Sequence, residues 1–402
     1  MVERKLVLGV EKLASGGDGI AFSNGQAVFI PHTIPGEKVE ARVISEGKGY
    51  LRAQLLEVLD PSPSRVTPPC PLFGVCGGCN LQHIDYPAQL ALKAAYVREV
   101  LERIGGFSPG ELPIESGSPY AYRNRVQVHE TPDAGLGFMA EGSDLAVRAP
   151  GCPVAVGALD QWLRRQNRKS RPAKELRSRI GDRDRFVVFA QDEKLFIEGE
   201  AARATARIGP ITYSFPVAHF FQSNISMAGR LVDRAVAGLS GGAALDLYCG
   251  AGLFAARLAS SFDKVICVES DTVSLEAARG NLPAGKGSFH AQDVETWIAS
   301  QGAGKRGHEP IDWAFVDPPR GGLSPKTRQW LKTVTIRGLS YVSCDHATLA
   351  RDLHDLVGSG WNVEKIILYD FYPQTGRTEA LALLSPPGAA PAARRHENEE
   401  DP

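Results

Sequence analysis

Along residues 1–60, apolar and polar positions alternate in short runs broken by glycine, as in KLVLGVEKL, GQAVFIPHTI and GEKVEARVISEGKGYLRAQLLEVLD. No helical period is sustained, so this stretch predicts short strands closing a small, five-stranded OB-like barrel. DPSPSRVTPP (60–69) predicts a linker. YPAQLALKAAYVREVLERIGG (86–106) changes to a helical period and stops at glycine. Residues 112–215 mix strand patterns with turns. From 216 to 386 the pattern alternates on a larger scale: AALDLYC, KVICVES, GSFHAQD, IDWAFVD, LSYVSC and WNVEKIILYD predict strands, most of them separated by stretches of helix length. That order predicts a doubly wound, Rossmann-like α/β sheet. TEALALLS follows WNVEKIILYD after only FYPQTGR, too short for a helical crossover, so the last strand is expected to run antiparallel. PGAAPAARRHENEEDP (387–402) predicts a disordered tail.

The expected organisation is therefore a barrel (1–60), a central α+β domain (61–215), a doubly wound α/β domain (216–386) and the tail (387–402). The helix over 86–106 is a candidate to pack against the α/β domain. The length of 402 residues suits about two or three domains. The start of the chain, MVERKLVLGVEKLASGGDG, has no apolar run long enough for a signal core or a membrane span, which predicts a cytoplasmic protein with reduced thiols. Its seven cysteines are then expected as ligands, nucleophiles or core residues rather than as disulfides.

Net charge is −1, so bulk electrostatics do not single out a nucleic acid as partner. The barrel is no exception, with seven Lys/Arg against eight Asp/Glu. Segment 160–185 has ten basic and four acidic residues, which suits either phosphate contacts or a solvated helical face. No obligate protein partner is implied.

Chemistry concentrates at the predicted strand ends. LDLYCGAGLF (245–254) reads as strand, glycine turn and helix, where a nucleotide-type ligand can approach the backbone. Glu269 ends the next strand and suits a ribose hydroxyl pair; Asp293 ends the third and suits an adenine amino group. The same arrangement would serve NAD, but the turn lacks the GxGxxG spacing. Asp317 closes the fourth strand in VDPPRGG, its turn stiffened by two prolines. Cys344 ends the fifth strand just before a helix start, which is expected to lower its pKa. Glu379 opens the antiparallel last strand at the same edge. Cys249 and Cys267 lie inside apolar strands and read as core.

A second cluster is CPLFGVCGGCN (70–80), where Cys70, Cys76 and Cys79 offer three soft ligands. Cys152 is the other cysteine outside the doubly wound sheet. Four thiolates suit either Zn²⁺ or a [4Fe–4S] cluster.

Taken together, CPLFGVCGGCNLQH, FFQSN, DLYCGAG, VDPPRGG, VSCDHATLARDL and TGRTEALALL resemble the RNA uracil-5-methyltransferase family, over nearly the whole chain. The closest likeness is to its 23S rRNA members with an N-terminal TRAM domain and an iron–sulfur cluster. The resemblance implies S-adenosylmethionine as methyl donor, contacted by Gln222, Tyr248, Glu269, Asp317 and Asp293. It implies Cys344 as nucleophile, Glu379 as proton-abstracting base, and a [4Fe–4S] cluster on Cys70, Cys76, Cys79 and Cys152. The barrel would be an RNA-binding TRAM domain and the substrate ribosomal RNA. Transfer RNA methylation and a non-catalytic iron–sulfur RNA scaffold stand as alternatives. A methylthiotransferase also joins TRAM to iron–sulfur, but its cysteine spacing and barrel position differ. The chain departs from the family pattern at Leu253, where asparagine is usual, at Asp345-His346 after the nucleophile, and at Gln374 and Arg377, where histidine is common.

Overall fold

The alternation of the first sixty residues closes into a barrel. Strands β1 (Lys5–Leu13), β2 (Gly19–Ser23), β3 (Gln26–Ile30), β4 (Lys38–Gly47) and β5 (Tyr50–Asp60) form it in the order β1-β2-β3-β5-β4. The inward positions Val10, Ala21, Val28, Ile30, Val39, Ala41, Leu51 and Ala53 fill it, as a two-residue period requires. The structure, a computed structural model, describes residues 4–170, 172–181, 184–301 and 310–388, and every element named here lies within them. Most of the expected tail therefore falls outside the described residues. The chain divides into two units: Met1–Val97, Ser116–Ala201 and Asp370–Thr378 form the first, and Arg98–Glu115, Ala202–Tyr369 and Glu379–Pro402 the second.

The expected linker is pinned rather than loose. Arg65 Nε donates to Glu37 Oε1 at 2.5 Å and its Nη2 to Oε2 at 2.7 Å, and this pairing helps hold the Glu37 carboxyl below its usual range despite burial. The periodic segment after the cysteine loop forms α1 (Tyr86–Val100), prolonged by a π-turn at Leu101–Gly105 and stopped by Gly106 at φ 71°. The two-residue strand β6 (Ile114–Glu115) follows, in the second unit.

The rest of the first unit is built on β7 (Arg125–Glu130), β8 (Leu136–Met139), β9 (Ala146–Arg148), α2 (Gly157–Asn167), α3 (Pro172–Ile180), β10 (Arg185–Gln191) and β11 (Lys194–Ile197). Its sheet runs β11-β10-β7-β8-β9. Here the basic run takes a definite form. It folds largely into α2 and α3, which bury Leu159, Trp162, Leu163, Leu176 and Ile180 against the sheet and leave charges outside. Several of those charges are already paired: Arg164 with Asp160 (2.7 Å), Lys169 with Glu175 (2.6 Å) and Arg179 with Glu200 (2.8 Å).

The second unit adds β12 (Arg203–Ile208) and β13 (Ile211–Pro216), a separate hairpin, then α4 (Ile225–Val236). The alternating region follows as β14 (Gly241–Leu247), α5 (Leu253–Leu258), β15 (Phe262–Glu269), α6 (Thr272–Asn281), β16 (Gly287–Ala291), α7 (Val294–Ser300), β17 (Trp313–Val316), α8 (Pro325–Leu331), β18 (Gly338–Ser343), α9 (His346–Val357), β19 (Asn362–Tyr369) and β20 (Glu379–Ser385). The sheet order is β16-β15-β14-β17-β18-β20-β19-β6. Strands β14 to β18 pair parallel, and β20 pairs antiparallel with both β18 and β19, as the short connection requires. The strand order reverses between the neighbours β14 and β17, and in such sheets ligands bind beyond the strand ends at that point. Among the described residues no helix is long and apolar enough to cross a membrane.

Candidate active site and cysteine cluster

The turn after β14 is built for close approach. Gly250 and Gly252 have φ of +52° and +79°, and a Cβ on Gly252 would stand 3.0 Å from that of Ala278. Only glycine meets both demands. Glu269, at the tip of β15, accepts from the Gly250 N–H at 3.0 Å through Oε2 and from the Asp271 N–H at 2.8 Å through Oε1. It therefore buttresses the turn as well as facing the ligand edge. Beneath the turn, Asp246 is 1% exposed and neither of its oxygens completes a hydrogen bond. Burial pushes its carboxyl well up, and the charges of Asp317 and Glu269 add to the rise. Asp317, after β17, is pushed up to about 7 by burial alone. Burial favours the neutral form of both acids, and a cation bound beside them would favour ionisation.

Tyr248 and Asp293 share a cavity of about 420 Å³ that Val294, Pro319, Leu323 and Arg328 also line. Asp293 caps α7, accepting from the Thr296 N–H (2.8 Å) and hydroxyl (2.6 Å), and these bonds hold its carboxyl below the usual range. Gln222 stands half-buried two positions before Asn224, the N-cap of α4; among the described residues no hydrogen bond ties it to the others. This cavity, with Asp293 on its wall, and the nearby glycine turn held by Glu269 at the tip of β15 suit a cofactor with an adenine and a ribose.

Cys344 lies between β18 and Asp345, which caps α9 by accepting from the Thr348 N–H at 2.9 Å. The residue is exposed. The expected fall in its pKa does not occur. The protein around the sulfur removes enough water to push the thiol up to about 11; Glu379 and Asp317 add to this, and Arg320 opposes it. Burial, with the two carboxylates added to it, outweighs the helix terminus. The strand register brings Cys344, Glu379 and Asp317 to one edge of the sheet: Ser343 pairs with Ala380, and β17, which Asp317 follows, lies next to β18. Glu379 itself is paired across the ladder with Tyr369. Sequence reasoning passed over two residues here: Arg320, inside the DPPR turn, and Asp246, hidden in an apolar strand. The first could have been found as the one cation of its motif.

In the first unit, Cys70, Cys76, Cys79 and Cys152 are all free and half-buried. Burial raises the Cys76 and Cys79 thiols and takes Cys152 up to about 12. Cys70 adds to the rise at Cys76 and Cys79, and Cys79 to that at Cys152, so the four share one electrostatic neighbourhood. Among the described residues no group of three or more His, Cys, Asp and Glu side chains stands ready to hold a metal ion. The donor chemistry nonetheless fits a metal–sulfur group. The Gly78 N–H points to Cys76 Sγ at 3.4 Å, and Gln82 bonds both the Cys70 N–H (3.2 Å) and the Cys79 thiol. Arg123 supplies the strongest sign. Its Nε is buried without an acceptor, and burial alone would lower its pKa, yet the neighbouring Tyr122, Cys79, Cys152 and Tyr372 hold it raised. A guanidinium in that position asks for an anion, and thiolates are the anions this site can supply.

Family comparisons agree with this layout. Residues 2–56 match the TRAM domain, and residues 164–288 and 309–386 match the tRNA (Uracil-5-)-methyltransferase family. A 23S rRNA (uracil(1939)-C(5))-methyltransferase of Pseudomonas putida is 32% identical over 95% of this chain and 94% of its own. A protein of the same name from Chromohalobacter salexigens is 30% identical over 98% and 93%. The crystal structure of a Pyrococcus abyssi tRNA (uracil-54, C5)-methyltransferase in complex with S-adenosyl-L-homocysteine superposes with a TM-score of 0.73 at 23% identity, covering 94% of this chain and 99% of that one. With its TRAM barrel, its doubly wound sheet and these relatives over almost its full length, the chain belongs to the RNA uracil-5-methyltransferase family and is an enzyme of that class.

Proposed function

We propose that this cytoplasmic enzyme methylates C5 of a uridine in 23S rRNA, with Cys344 as nucleophile and Glu379 as base. The observation that carries the reading is the ladder register, in which Ser343 pairs with Ala380, so that Cys344 and Glu379 stand at the same strand end, next to the end of β17 that Asp317 follows. The 23S rRNA names of relatives matched along nearly the whole chain support the substrate. When bound, S-adenosylmethionine supplies an electrophilic methyl group; Gln222, Tyr248, Glu269, Asp293 and Asp317 would hold it.

C5 of uracil is a weak nucleophile. The Cys344 thiolate adds to C6, and the C5=C6 electron pair moves towards C5, which then captures the methyl group. Glu379 takes the C5 proton, the freed C–H pair rebuilds C5=C6, and the C6–S pair returns to Cys344 as thiolate. Sulfur suits the role because it both adds and departs readily. The target base must leave its stack to reach the rim, which single-stranded or loop RNA allows at least cost.

The four cysteines are proposed as ligands of a [4Fe–4S] cluster. Four protein thiolates would leave it no open site, so its role is structural, and Arg123 would offset part of its negative charge. No step of the reaction passes through it.

The test is a 5-fluorouridine-substituted 23S rRNA fragment incubated with enzyme and S-adenosylmethionine. Fluorine cannot leave as a proton does, so the enzyme is expected to remain bonded to RNA through Cys344. Adduct mapped to another residue, or to none, refutes the assignment. A matching transfer RNA transcript run beside it checks the substrate class.

A further inference from the structure

Glu379 is reached from the loop Asp370–Thr378, and that loop is held far more firmly than a strand connection needs. Lys93 Nζ lies 2.7 Å from Asp370 Oδ1, with the two side chains 1% and 0% exposed. The Tyr86 hydroxyl donates to the other Asp370 oxygen at 2.9 Å, and Lys93 also donates to the Tyr372 carbonyl at 3.3 Å. Tyr122 donates to the Pro373 carbonyl at 2.9 Å. Gln89 and Gln374 bond each other twice, from Gln89 Nε2 to Gln374 Oε1 (3.0 Å) and from the Gln374 N–H to Gln89 Oε1 (3.1 Å). Gln374 has φ of +68°, a strained conformation that these bonds sustain.

Closer still to Glu379, the N–H groups of Asn80 and Leu81 both donate to the Gln374 carbonyl at 3.0 Å, and Asn80 Oδ1 accepts from the Gly376 N–H at 3.1 Å. A Cβ on Gly376 would stand 2.6 Å from the Gly17 nitrogen, so the loop sits flush against the barrel's first turn. Every one of these partners belongs to the first unit. Asn80 directly follows Cys79, which places the cysteine cluster at one end of the brace.

We propose that Asn80, Gln89 and Lys93 are positioning residues for the base: they fix the backbone that leads into Glu379, and so govern proton abstraction rather than addition of the thiolate. The inference rests on the reading of Glu379 as base. Cys344 depends on other supports, strand β18 and the α9 cap, none of which lies in the loop. Glu379 shares the ladder with Cys344, since Ala380 pairs with Ser343 of β18, but the braced loop is a support that only the base has. General-base transfer needs the carboxylate within hydrogen-bond reach of the proton, and small misplacements are costly.

The two half-reactions can be measured apart. Asn80→Ala, Gln89→Leu and Glu379→Gln are compared with the unaltered holoenzyme on uridine RNA and on 5-fluorouridine RNA. Trapping by 5-fluorouridine needs nucleophile and methyl donor but no base, so it reports a folded, addition-competent site. Gln89→Leu is expected to lose about tenfold or more in turnover on uridine RNA, and Asn80→Ala, at a half-buried residue, about threefold. Both should accumulate a methylated protein–RNA adduct on denaturing gels, with 5-fluorouridine trapping within about twofold of normal. Equal losses on the two RNAs would mean a general structural role and overturn the proposal, as would unchanged turnover. If Glu379→Gln accumulates no adduct on uridine RNA, the base assignment itself is what has failed.

Discussion

Cys76, Cys79 and Cys152 of the cluster, and Cys344 at the sheet edge, are all pushed towards the neutral thiol, but by different neighbours. In the cluster, burial leads and the other thiols add to it, with Arg123 in opposition. At the sheet edge the added pressure comes from the carboxylates Glu379 and Asp317, with Arg320 in opposition. Thiols raised chiefly by burial and by one another are relieved by a single cation that bonds them all. A thiol that shares its site with acids is relieved when those acids meet a cation or a proton, and it stays free to attack. The same side chain is therefore suited to a ligand in one place and to a nucleophile in the other.

The largest test of this contrast is Cys344→Ala, expected to lower formation of 5-methyluridine by at least about a thousandfold, measured by nucleoside analysis of the RNA product. Product at the normal rate would remove the nucleophile from the scheme. Cys152→Ser should instead leave Cys344 intact and act on the cluster. Iron per chain is expected to fall well below the roughly four atoms of a full [4Fe–4S] group, together with the broad visible absorbance. Retained iron would show that Cys152 is not a ligand.

Next comes pH. Because the Cys344 thiol is pushed up to about 11, its thiolate is the minor form near neutrality and grows as pH rises. Below that pKa, kcat/KM for trapping by 5-fluorouridine RNA, which reports the free enzyme, should rise about tenfold per pH unit from pH 7 to 9. A flat profile would mean that the free enzyme already holds a thiolate. The smallest effect belongs to Arg320→Ala. Removing the opposing cation raises the thiol further, moves that profile to higher pH and slows trapping at pH 7 about threefold. A profile that does not move would show that Arg320 has no electrostatic hold on Cys344.

Much of the site was legible because strand ends are legible. Glu269, Cys344 and Glu379 were each expected at a strand tip from the alternation around them, and a parallel sheet gathers such tips at one edge. The antiparallel final strand followed from loop length. What could not be read was the state of those groups. A helix start after Cys344 suggests a lowered pKa, yet burial, with Glu379 and Asp317 from distant parts of the sequence added, reverses it. The basic run over 160–185 hid two helices, since its buried Trp162, Leu163 and Leu176 are sparse among arginines. Nor could pattern reveal that Lys93 meets Asp370, far along the chain.

By itself, the sequence determined the succession of strands and helices, the glycine turn, and the placing of acids and a thiol at the strand ends. These follow from backbone periodicity and from short-range steric rules, which act between neighbours in the chain. Tertiary structure alone decided which charges face Cys344, how Arg123 comes to lie among thiols, and how the loop before Glu379 is braced. Those depend on dielectric surroundings and on contacts between distant segments, and neither exists until the chain has folded.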